Sequence, residues 1–129
     1  MFDPGIQQTL ETLLTRSQAG EVKWVDSTSA GMDSSADDDY VVLMPQSAIN
    51  VFKVQGKLQV NFIDNAGNVF LSLEGEEPED RELIREIFFS ARRIALNVDE
   101  KMAEIRESLM REGVIGETKP RKFKEQVLF

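Results

Sequence analysis

Cysteine and histidine are both absent from these 129 residues, and the two absences close off much chemistry. Without a thiol there is neither a disulfide staple nor a thiolate nucleophile, a pattern that fits a reducing, cytoplasmic setting. Without imidazole the usual triads lack their base, and the commonest zinc ligand is missing. No stretch approaches the ~20 apolar residues that a membrane span requires. The first residues, MFDPGIQQTLETLL, place no basic segment ahead of an apolar one, so no secretory signal is expected. The one Gly-Lys pair, Gly56-Lys57, sits between strand-like runs and not before a helix, which excludes a phosphate-binding loop.

What is present suits one globular domain: 41% of residues are apolar, enough for a core, and 29% are charged. The net charge of −8 repels phosphate backbones, so no nucleic-acid partner is expected. Charge is uneven along the chain. Residues 74–112 carry 12 acids and 7 bases, whereas residues 117–129 carry 2 acids and 4 bases. That reversal separates a single α+β domain, 1–115, from an extended basic tail with an apolar terminus, 116–129.

Asp3 as N-cap, Pro4 at the first helical position and Gly20 as a stop bracket a first helix. Its inner face is Ile6, Leu10, Leu13 and Leu14. Val22-Lys-Trp-Val25 alternates and predicts a short strand. The polar run from Asp26 to Asp39 reads as a mobile loop. Strands follow at Tyr40–Met44, Ala48–Val54, Lys57–Ile63 and Val69–Leu73, with a tight turn at Gln55-Gly56 and a hairpin at Asp64–Gly67. Connections this short permit only antiparallel neighbours, hence a meander of four to five strands.

Glu77 and Pro78 open a long helix with an apolar stripe from Ile84 to Leu109. Continuous from Pro78 to Glu112, it would span about 52 Å, against ~30 Å for a small domain. Two outcomes are open: a break near Asn97 with Asp99 as a fresh N-cap, or a distal half packed on a second copy, giving a homodimer. The expected core is Leu10, Leu13, Leu58, Val60, Phe62, Leu71, Ile87, Phe88, Ala91 and Ile94.

Catalysis is left only carboxylates, and none of the 23 acids lies in an apolar strand context that would perturb it. The chain is therefore read as no enzyme, with no cofactor. Asp33, Asp37, Asp38 and Asp39 lack the alternation, central glycine and distal glutamate of a calcium loop, so no metal site is expected. The basic segment Lys119–Lys124 reads as a solvated tail. Two places suggest contact with another protein. Val127, Leu128 and Phe129 end the chain with three apolar residues. Phe52 and Phe70 are aromatics on a sheet face otherwise lined by Asn50, Gln59 and Asn61, where the tail is the expected cover.

Gln126-Val-Leu-Phe129 resembles the peptides by which bacterial proteins bind the replication sliding clamp. The usual five-residue form has its glutamine four positions before the phenylalanine, where this chain has Glu125. The order of elements, with Ser90–Glu100 inside the last helix, resembles a group of small bacterial α+β proteins of unknown function. Type III secretion chaperones share the size and acidity but interrupt their strands with a middle helix. These readings imply a small bacterial regulatory or adaptor protein. The alternatives are an acidic immunity protein, antitoxin or secretion chaperone, or else a carboxylate-dependent hydrolase.

Overall fold

A computed structural model of the chain describes residues 1–32 and 38–117. The order is α1 (Pro4–Gln18), β1 (Val25–Asp26), β2 (Asp38–Leu43), β3 (Ala48–Val54), β4 (Lys57–Ile63), β5 (Val69–Glu74), α2 (Pro78–Ala95) and α3 (Val98–Leu109). The five strands form one antiparallel meander in chain order, giving the α+β fold expected from the strand pattern. Backbone contacts divide the chain into two compact units, Met1–Asp99 and a second beginning at Glu100.

Local chemistry explains the element ends. Asp3 Oδ2 accepts from the Ile6 N–H at 3.4 Å, capping α1. Gln55 and Gly56 take φ of 52° and 79°, the paired positive values of a primed two-residue turn. Asp64 Oδ1 accepts from the N–H groups of Ala66 and Asn68 and ties off the β4–β5 hairpin.

α2 lies against the sheet and α1 packs on α2. The resulting core joins Leu10 and Leu13 to Val60, Ile87, Phe88 and Ala91, all expected and all buried. Leu58, Phe62, Leu71 and Ile94 are partly buried around its rim. Trp24, Tyr40, Val42, Ile49, Val51, Leu73, Leu83 and Ile84 complete it and were not among the expected core residues.

Two expectations are corrected. The strand predicted at Val22–Val25 begins only at Val25. The Trp24 N–H bonds back to the Val22 carbonyl at 3.1 Å, which bends the chain so that Trp24 Nε1 donates to Ser17 Oγ at 2.9 Å. The predicted mobile loop is, over residues 27–32, a packed structure. Ser27 is fully buried, Ala30 and Met32 sit on Val41, Ala48 and Ile63, and backbone bonds from Ala30, Gly31 and Met32 close the turn. Asp33 and Asp37 lie outside the described residues, while Asp38 and Asp39 begin β2. Of the two outcomes open for the long helix, the break near Asn97 is the one found: α2 stops at Ala95 and Asn97 takes φ of 51°. The expected cap Asp99 is instead the second residue of α3, and its Oδ1 accepts from Arg93 Nε at 2.9 Å.

Candidate functional site

The sheet carries two polar clusters, one on each face. On the outer face Asn50 is 4% exposed, and its Nδ2 donates to the Tyr40 carbonyl at 3.0 Å and to Asp39 Oδ1. Ser27 Oγ donates to the same Asp39 oxygen at 2.5 Å, and the Ser27 N–H reaches the Asp39 carbonyl at 3.0 Å. These bonds fasten residues 27–32 onto β2 and β3. A hydroxyl with no exposed surface, committed to a carboxylate, has neither access nor a free base and so is no nucleophile.

On the helix-facing side, the Tyr40 hydroxyl donates to Asp38 Oδ1 at 3.0 Å, and Arg92 Nε stands 3.8 Å from that oxygen. Burial, then the hydrogen bond to Asp38, pushes the Tyr40 phenol up to about 12. A phenol held protonated this firmly is a structural donor and not a base.

A groove of about 560 Å³ runs between the β3–β4 turn, the end of β5 and the first two turns of α2. Its walls mix Lys57, Arg81 and Arg85 with Glu74, Glu76 and Glu82. Several of these side chains already have partners. Arg81 Nη1 donates to the Glu76 carbonyl at 2.9 Å, Glu74 Oε1 accepts from Gln59 Nε2 at 2.6 Å, and the Arg85 guanidinium lies 5.7 Å from the Phe89 ring centroid. Among the described residues no group of three or more carboxylates stands where it could hold a metal ion.

The expected contact residues are placed as follows. Gln126, Val127, Leu128 and Phe129 lie outside the described residues. Phe52 is partly buried on the outer face, opposite Gln59. Phe70 does not join it. β4 and β5 slip register between Phe62↔Leu71 and Ile63↔Val69, leaving Phe70 as the extra residue of a bulge. Its ring centroid lies 6.3 Å from that of Phe62, a rim residue of the main core, at the other end of β4 from Gln59. The two aromatics thus belong to separate surroundings. The face between them is polar, with Ser72 Oγ donating to Asn61 Oδ1 at 2.6 Å.

A further apolar surface lies on α3. None of its residues is buried. Met102, Ile105 and Leu109 are 45%, 50% and 56% exposed, and their spacing puts them on one face with Val98. The acids Glu100, Glu104 and Glu107 occupy the opposite face. Sequence periodicity marked this stripe, but the break at Asn97 that separates it from α2 depends on a backbone conformation the stripe does not encode. No family model, curated protein or solved structure matches the chain.

Proposed function

We propose that this chain is a non-catalytic protein-interaction module, a small bacterial regulatory or adaptor protein of the cytoplasm, and that α3 is its contact face. One observation carries the reading: α3 has 12 residues, buries none of them and presents an apolar stripe. Helices shorter than ~12–15 residues are marginal in water, and most helical stability in proteins comes from packing an amphipathic face. A helix of this length and pattern is suited to form against another protein chain. The Gln126–Phe129 peptide is a second contact proposed on its resemblance alone.

The test compares tagged wild-type protein with Ile105→Glu, each isolated gently from its native host, and quantifies what is retained, including untagged copies of the chain. The wild type should hold a partner in stoichiometric amount that the variant loses. The variant should still fold, its unfolding midpoint lowered only by loss of the contact, because Ile105 is half-exposed within its own chain. Equal retention by the two proteins would overturn the reading.

A further inference from the structure

We infer that the partner of α3 is a second copy of the same helix lying antiparallel to it, an inference that rests on α3 being the contact face. The stripe Val98, Met102, Ile105 and Leu109 is spaced four, three and four residues apart, the seam of a two-stranded coiled coil. Antiparallel pairing sets Val98 against Leu109 of the other copy and Met102 against Ile105, so each layer joins a smaller or more flexible side chain to a bulkier one. The contact is self-complementary and two-fold, as an isologous interface must be.

Charge chooses the direction. Asp99 and Arg106 flank the seam on one side, and Lys101 flanks it on the other. In the antiparallel pair Arg106 of each copy meets Asp99 of its neighbour, twice by symmetry. In a parallel pair Lys101 would instead face Arg106, like charge against like. Arg106 makes no ion pair among the described residues. Asp99 is engaged by Arg93 through Oδ1 alone, and its side chain is 78% exposed.

The cysteine-free chain makes the test direct. Single variants Val98→Cys and Leu109→Cys are oxidised separately and as a mixture, with Glu107→Cys on the opposite face as the collision control. In the antiparallel pair positions 98 and 109 share a layer, while like positions are about 16 Å apart along the axis. Disulfides do not bridge Cα atoms beyond ~7 Å, so the mixed disulfide should dominate. Dominant homodisulfides would overturn the orientation while leaving α3 as a contact face. Yields no higher than the Glu107→Cys control would overturn self-pairing, and the host retention experiment would then decide whether α3 contacts a different protein. Arg106→Glu gives an independent sign: it should lower mixed-disulfide yield several-fold, whereas a parallel pair would be strengthened by relief of the Lys101 repulsion.

Discussion

Gly75 is expected to be the least replaceable small residue in the chain. It stands between the end of β5 and the first turn of α2, where a Cβ would lie 2.5 Å from Arg81 N, 2.6 Å from its Cα and 2.7 Å from its Cγ. Comfortable carbon contacts need roughly 3.5–4.0 Å, so the strand end and the helix must separate by about 1 Å. Two of the three atoms are backbone and cannot rotate aside. The Arg81 N–H is also committed to the Glu77 carbonyl at 3.0 Å in that first turn. Overpacking of this kind costs roughly 1–3 kcal/mol. In a unit of this size each kcal/mol moves the unfolding midpoint by about 4–8 °C, so Gly75→Ala should lose about 4–24 °C. Thermal unfolding followed by Trp24 fluorescence measures this, with Gly5→Ala as control. A Cβ at Gly5 meets only Asp3 Oδ2, at 3.4 Å, and should be neutral or mildly stabilising. A midpoint for Gly75→Ala within about 4 °C of wild type would refute the steric argument.

Phe88→Ala should cost roughly 3–5 kcal/mol in chemical denaturation, because it empties a site against Tyr40, whose ring centroid is 5.8 Å away. Ser17→Ala leaves the buried Trp24 Nε1–H without its acceptor, so a loss of roughly 1–3 kcal/mol and a shifted tryptophan emission are expected. Tyr40 is the single tyrosine, so its ionisation can be followed by ultraviolet absorbance in the intact protein. Its folded value of about 12 lies above the ordinary 10.0, so the folded state holds a proton that the unfolded state has released. That contribution is complete below the unfolded value and is lost as pH rises through the folded one, and stability should fall across that window. Tyrosinate appearing at the ordinary value while the fold persists would contradict the burial assigned to Tyr40.

Much of this architecture is written in alternation and turn chemistry. Leu58, Val60 and Phe62 point inward as their spacing demands, and the Gln55-Gly56 and Asp64–Gly67 turns form where left-handed residues permit them. What escaped sequence reasoning depends on partners distant along the chain. Ser27 looks like a loop residue until Asp39 and Asn50 are brought to it from 12 and 23 positions away. Trp24 seemed part of a strand because nothing local announces that Ser17 will accept its N–H. Phe70 follows the alternation of the face that carries Phe52, but strand pairing places it at the far end of β4, at the slip in register. The α3 stripe was legible as periodicity, but its exposure was not, since the same stripe continues α2 without interruption and a length argument alone hinted at the break near Asn97.

The extra residue in β5 has a consequence for growth. The edges of the sheet are β1 and β5. A sheet whose outer strands were long and regular would offer unpaired backbone groups to any passing strand and could extend without limit. Here one edge is only two residues long and the other is kinked at Phe70. Among the described residues, neither edge presents a long, even template to a sixth strand from another chain, which disfavours edge-to-edge addition. The helix pairing proposed for α3, by contrast, would be used up once two chains had met. With that pairing, the irregular sheet edges and the helix contact would both favour assemblies that terminate.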